Sequence, residues 1–194
     1  MDSAAPADIL AFWFGRTGEP GFGQPRGEWF RKDAGFDDQI RSRFLPGVEA
    51  ALAGQLAAWA ADRQGALALL ILLDQFPRNL FRGEAKAFAG DPQARQLAET
   101  ALAKGWDRGL SAVEKLFIYL PFEHSEALAD QERSVALFSA LAAEHPGCDG
   151  FLDYARRHHE VIARFGRFPH RNAALGRPST PEETSYLAQP GSGF

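Results

Sequence analysis

The hydrophobic positions of this chain repeat at helical spacing over most of its length. Phe36, Ile40 and Phe44 recur every four residues, which places them on one face of a helix. Residues 66–73 form an uninterrupted apolar run of Leu, Ala and Ile. Leu and Ala are strong helix formers, and the run is far shorter than the roughly 20 residues that a membrane span needs. We therefore expect a helix at the centre of a globular core.

Proline and capping residues separate these apolar segments into individual helices. Asp91 followed by proline indicates a helix start, and so does Thr180 with its proline and later glutamate. Pro46 is predicted to begin a new segment, Pro77 to kink or stop one, and Pro121 to end one. Neither a hairpin signal nor an alternating strand pattern is present. The sequence predicts an all-α fold of antiparallel helix pairs, in a tetratricopeptide-like superhelical or orthogonal bundle, as a single domain over residues 1–194.

Composition and charge narrow the range of partners. The net charge of −4 gives no general reason to expect nucleic acid or an anionic membrane as a partner. Cys148 is the only cysteine, so neither an internal disulfide nor a cysteine-based zinc site can form. The first residues lack the pattern of an export signal. We expect a cytoplasmic protein without a metal or cofactor.

A first polar phrase follows the apolar run. Asp74, Arg78 and Arg82 are spaced by four residues, so they share a helical face if the helix continues, and Asp74 can pair with Arg78. Asn79 lies beside them. Two interpretations remain open: an ion pair at a helix end, or a ligand site at the mouth of an apolar core.

A second phrase repeats the first. The chain contains only two asparagines, and they end the similar phrases Phe-Pro-Arg-Asn79 and Phe-Pro-His-Arg-Asn172. The structural interpretation is a helix stop in both places. Arginine binds carboxylate or phosphate in a forked geometry, so we also hypothesise that Arg78 and Arg171 share one anion or acidic partner. His170 lies within this phrase and Arg167 directly before it, in the most arginine-rich part of the chain. Nucleic-acid binding is disfavoured there, and pairing with the protein's own carboxylates is preferred.

A third phrase contains Glu123, His124 and Glu126. A histidine beside carboxylates can transfer protons near neutral pH. Metal binding would need a second histidine such as His170 or His159. Acid-base chemistry, metal binding and structural hydrogen bonding all remain possible. His158 and His159 are adjacent on a helix and face different directions, so they are not expected to bind one ligand together.

Together these phrases resemble a known family. The resemblance rests on four segments, Phe-Trp-Phe-Gly15, Leu-Leu-Asp-Gln-Phe-Pro-Arg-Asn79, Pro-Phe-Glu-His-Ser-Glu126 and Arg-Phe-Gly-Arg-Phe-Pro-His-Arg-Asn172. They are similar to the bacterial family named domain of unknown function 924 over nearly the full length. The resemblance implies a cytoplasmic, all-helical fold similar to tetratricopeptide-like superhelices, and it carries no reaction or catalytic residues.

Three functions follow from the phrases. The first is a binding protein for an acidic peptide or small anionic metabolite, and the second is a hydrolase-type enzyme that uses a histidine–carboxylate pair. The third is a protein scaffold in which the phrases are structural. Convergence of the phrases on one closed pocket would favour the first two. The predicted catalytic residues are His124, Glu123 and His170, and the predicted ligand-binding residues are Asp74, Arg78, Asn79, Arg82, Glu126, Arg167, Arg171 and Asn172.

Overall fold

A computed structural model of the chain describes residues 4–193, and the regular elements within those residues are all helical. This confirms the all-α prediction. The described residues form two compact units, residues 4–82 with 86–121 and residues 83–85 with 122–193. One domain over 1–194 stays a prediction. The helices are α1 (Pro6–Phe14), α2 (Ala34–Leu52), α3 (Arg63–Leu70), α4 (Phe76–Leu80), α5 (Asp91–Ala103), α6 (Ala112–Glu123), α7 (Leu128–Glu144), α8 (Asp149–Phe165) and α9 (Pro181–Leu187).

The core of the first unit is aromatic. Trp13 on α1 packs on Trp29 with 5.7 Å between ring centroids, and it meets Phe36, Phe76 and Phe117 at 5.4–5.7 Å. Within this unit α1 packs against α3, and α2 packs against α4. Large rings bury much apolar area per residue, so these few side chains connect segments that are distant in sequence.

The apolar run is helical, and a π turn at Ile71–Gln75 separates α3 from α4. The helical path continues through Pro77 to Leu80, so of the two predicted alternatives at this proline the stop is wrong, and the kink stays a prediction. Pro77 occupies the first turn of α4, where a missing N–H group is tolerated. π turns inside helices are rare and often mark functional or structurally special places.

Two other prolines lie inside helices. Pro46 is within α2 and Pro121 within α6, so the predictions that they begin and end helices are wrong. Each proline removes one backbone hydrogen bond. Buried residues on both sides, such as Phe44 and Val48 around Pro46, hold the helix in place despite that loss.

The second unit contains a helical hairpin. The short connection at residues 145–148 joins α7 to α8, which pack against each other, and so short a connection makes them antiparallel. A left-handed glycine, Gly166 with φ 68°, ends α8. Phe168 packs on Val161 and Ile162 and is followed by a 3-10 turn at Pro169–Arg171 and by α9. Over residues 4–193, the helices are all too short or too polar to cross a membrane.

Candidate functional site

Arg78 is held between two carboxylates of the first unit. Its Nη1 lies 3.3 Å from Oδ1 of Asp74, as the spacing predicted, and its guanidinium also donates to both oxygens of Asp91 at 2.9 and 3.1 Å. Burial would lower the pKa of Arg78, but these two carboxylates raise it above its ordinary value. Gln75 donates to Asp74. The first phrase is therefore an internal ion-pair network that joins the π turn to the start of α5.

The rest of the first phrase binds a carboxylate on α2. Asn79 Nδ2 donates to Oδ1 of Asp37 at 2.7 Å, and Arg82 donates to the same carboxylate through Nε and Nη2 at 3.1 and 2.9 Å. Asp37 lies in the first turn of α2, where a negative charge is favoured by the helix dipole. We call this arrangement of one asparagine and one arginine on a first-turn carboxylate an Asn–Arg clamp.

The second unit contains the same clamp. Asn172 Nδ2 donates to Oε2 of Glu183 at 3.2 Å, and Arg167 binds that carboxylate through Nε and Nη2 at 2.6 and 2.8 Å. Glu183 also accepts from the Thr180 N–H group at 2.7 Å in a capping box. Arg167, followed by the Thr180 N–H group, lowers the pKa of Glu183 to about 2. The repeated phrase thus has a structural explanation, because each asparagine helps to fix the first turn of a helix.

Glu126 of the third phrase binds the second phrase just before the 3-10 turn. It accepts a hydrogen bond from the Phe168 N–H group at 2.8 Å and two from Arg177 at 2.7 and 2.9 Å. Burial raises the pKa of Glu126, but the Arg177 and Phe168 bonds outweigh that effect and lower it overall. Pairing of the arginine-rich segment with the protein's own carboxylates is therefore confirmed for Arg177 with Glu126.

The described partners of the two phrase arginines differ. Arg171 donates from Nη2 to the His124 carbonyl oxygen at 3.0 Å, whereas Arg78 binds Asp74 and Asp91. A common anion for Arg78 and Arg171 stays a hypothesis. Within the second unit, however, the second and third phrases do meet.

They meet around the ring of Phe168, where two imidazoles and a guanidinium gather, with a third imidazole beside them. The guanidinium carbon of Arg171 lies 4.5 Å from the centroid of that ring, and the rings of His158 and His170 are each 5.5 Å away. His124 is 6.3 Å from His158 between ring centroids. We call His124, His158, His170 and Arg171, with Glu123, the imidazole cluster.

His158 is the central member of the cluster. Its Nδ1 lies 2.9 Å from the Tyr154 carbonyl oxygen and 3.2 Å from Oε1 of Glu123. A carbonyl oxygen only accepts, so Nδ1 carries the proton and the lone pair is on Nε2. Burial lowers the pKa of His158 to about 3, and the charges of His124, His170 and Arg171 act in the same direction. The ring is therefore neutral at physiological pH.

The sequence prediction missed His158. It considered His158 only as a possible joint ligand with His159, and the structure buries His158 and leaves His159 half exposed. A signal was present in the spacing, because His158 falls on the same face of α8 as the buried Leu152, Ala155 and Val161. A histidine on the buried face of a helix needs a polar partner, and Glu123 is that partner.

The lowered pKa of His158 predicts acid sensitivity. The unfolded state takes up a proton near pH 6.5, but the folded state does so only near pH 3. Stability is therefore retained above pH 6.5 and lost as the pH falls below it, by about 2 kcal/mol between pH 7 and pH 5. Urea unfolding across this range should show that loss in the wild type and in His159→Gln, but not in His158→Gln. Parallel pH profiles for all three proteins would contradict the assignment.

No three His, Cys, Asp or Glu side chains among residues 4–193 are arranged to hold a metal ion. A shallow cavity of about 280 Å³ is lined by residues of α7 and α8 that include Arg156 and His159. Another, of about 330 Å³, lies beside Arg164, Arg167 and α9. The imidazole cluster lines neither cavity.

The predicted site residues thus fall into two groups. Glu123, His124, His170 and Arg171 belong to the imidazole cluster. The others form internal ion pairs and hydrogen bonds: Asp74, Arg78, Asn79, Arg82, Glu126, Arg167 and Asn172.

Comparison with known proteins gives a family but no activity. A family model described as a bacterial protein of unknown function, DUF924, matches residues 9–191. The solved structure of ATU0120, a protein of unknown function from Agrobacterium tumefaciens, is 42% identical to this chain and has a TM-score of 0.82. That match covers 94% of this chain and 96% of ATU0120. No curated protein matches the chain.

Proposed function

The chain belongs to the DUF924 family of bacterial proteins of unknown function, and from the geometry of the imidazole cluster we propose that it binds a small anionic metabolite. The observation that carries this proposal is the gathering of His158, His170 and Arg171 around the Phe168 ring, with His124 next to His158. We also propose a cytoplasmic location, with which the single cysteine of the chain is compatible.

Electrostatics supports an anionic ligand. The charges of His124, His170 and Arg171 lower the pKa of His158, which means that positive charge on one member opposes protonation of another. A bound carboxylate or phosphate would reduce that repulsion and favour protonated imidazoles. Such binding takes up protons, so it strengthens as the pH falls.

Burial supports a small ligand over a peptide. Arg171 is only 6% exposed, and His124 and His170 are half-buried. The more exposed Arg82 and Arg167 are already bound to Asp37 and Glu183. Binding of an acidic peptide on a tetratricopeptide-like concave surface stays a prediction. The internal partners of its proposed arginines count against it.

The test is a thermal-shift comparison of anions at constant ionic strength. We expect inorganic phosphate, oxalate or succinate to raise the melting temperature of the wild type above its value in chloride. At 100 times the Kd, binding adds about 2.7 kcal/mol of stability, or about 5–10 °C for a chain of this size. The shift should be much smaller in His170→Gln and unchanged in His159→Gln, a control on the same unit.

Two outcomes would refute the proposal. One is that no anion shifts the wild type beyond chloride at millimolar concentration. The other is an equal shift in the wild type, His170→Gln and His159→Gln, which would assign the effect to general screening of surface charge.

An enzyme of the hydrolase type is the second candidate. The observation that favours it is the contact of Glu123 with Nδ1 of His158, because a carboxylate that orients a histidine is typical of general-base sites. Release of p-nitrophenol from p-nitrophenyl phosphate, lost in His158→Gln, would support catalysis. Binding of phosphate without turnover would support the binding function alone.

A structural role is the third candidate. The two Asn–Arg clamps and the Arg78 network show how most polar residues of the phrases are used inside the fold. A protein scaffold would need only these contacts. The imidazole cluster also has internal contacts, Glu123 with His158 and Arg171 with the His124 carbonyl oxygen, and the anion-binding test above separates the two roles.

A further inference from the structure

Two buried oxygen atoms on α7 make no hydrogen bond within the described part of the chain. They are Oε1 of Gln131 and Oγ of Ser134, and both residues are 0% exposed. Three residues apart on a helix, they share one face. Nearly all buried polar groups in native proteins have a partner, so one more hydrogen-bonding group is needed at this face.

Gln131 locates this face beside the imidazole cluster. Its Nε2 donates to the carbonyl oxygens of Glu123 and Ser125, each at 2.6 Å, so its amide caps the end of α6. The remaining oxygen of that amide is the one without a bond. The side chain is therefore fixed at one end and presents a buried acceptor at the other.

Ser134 lies at the level of His158 in the helical hairpin. Ser134 lies about as far before Glu144, the last residue of α7, as His158 lies after Asp149, the first residue of α8. Residues equally far from the connection of an antiparallel pair face each other. Ser134 and His158 are also both on the buried faces of their helices.

We propose that a buried water molecule binds between Oε1 of Gln131 and Oγ of Ser134, on the side of the imidazole cluster that faces α7. Water can donate one proton to the amide oxygen and a second to the hydroxyl oxygen, or accept the hydroxyl proton. A polar site needs two to four such partners to hold water. Full burial of both residues leaves no route for a larger ligand. This inference is independent of anion binding, since the two oxygens need a partner in either case.

The melting temperature of Ser134→Ala tests whether water is bound at this site. If water bridges the two oxygens, the variant loses a hydrogen bond, and the melting temperature should fall by about 2–4 °C. If the hydroxyl has no partner, its removal relieves an unfavourable burial and the melting temperature stays the same or rises, which would overturn the proposal. The control is Ser42→Ala on the exposed side of α2, where the serine hydroxyl bonds to the Gln39 carbonyl and a change below about 1 °C is expected.

A direct measurement covers the case in which Ser134→Ala does not fold. Nuclear Overhauser contacts between water and the side-chain amide of Gln131 should be present in the wild type, with the sign of a long-lived bound water, and weaker or absent in a folded Ser134→Ala. Their absence from the wild type would overturn the proposal whatever the variant does.

Discussion

Arg78→Met is expected to lower the free energy of unfolding by about 3–5 kcal/mol. Asp74 is 1% exposed and Asp91 sits on the other side of the guanidinium, so loss of Arg78 leaves buried negative charge without this counterion. Removing one partner from a buried ion pair is far more costly than replacing the whole pair by apolar groups. Urea unfolding followed by circular dichroism measures the difference.

Arg82→Met is the matched control. Arg82 also binds an aspartate through two bonds, but its side chain is 38% exposed. Solvent screens such a pair, and its loss is expected to cost about 1 kcal/mol or less. Equal losses for Arg78→Met and Arg82→Met would show that burial of the Arg78 network contributes no extra stability.

Gly90→Ala is expected to destabilise the fold by about 3 kcal/mol. A Cβ atom at position 90 would collide with the carbonyl oxygen of Leu73 and lie 2.9 Å from its carbonyl carbon and 3.1 Å from Cδ2 of Leu52. Leu73 is in the π turn, so Gly90 permits the close approach that places Asp91 beside Arg78. The backbone of a packed helix cannot move away cheaply, in contrast to the end of a flexible side chain.

Gly150→Ala provides the control for this steric argument. Position 150 lies in the first turn of α8, and a Cβ atom there would meet no atom within 4 Å. Alanine is the better helix former, so a gain of about 0.5 kcal/mol or no change is expected. If Gly90→Ala is as stable as Gly150→Ala in urea unfolding, the contact between residue 90 and the π turn is not restrictive.

Interactions between residues close in the sequence made much of the fold predictable. Thr180 and Glu183 form a capping box from four consecutive residues, and Ser111 with Glu114 does the same at α6. The pair of Asp74 with Arg78 follows from one turn of helix. Each of these interactions depends on neighbours in the sequence, which is why spacing was sufficient to predict them.

Proline positions were predicted less well. A missing N–H group weakens a helix locally, and the pattern therefore indicated boundaries at Pro46 and Pro121. Both prolines lie inside helices because packing of buried neighbours outweighs one lost hydrogen bond. The π turn before Pro77 is likewise not visible in the spacing of the apolar residues.

Residue spacing alone predicts the helices, several of their ends and the residue types from which a site could be built. Which of those residues meet one another depends on the packing of the helices. The Asn–Arg clamps join Asn79 to Asp37 and Asn172 to Glu183, and the cluster joins Glu123 to His158. These partners are brought together by helix packing, which no local spacing encodes, because the burial that makes each contact strong arises only when distant segments exclude water together.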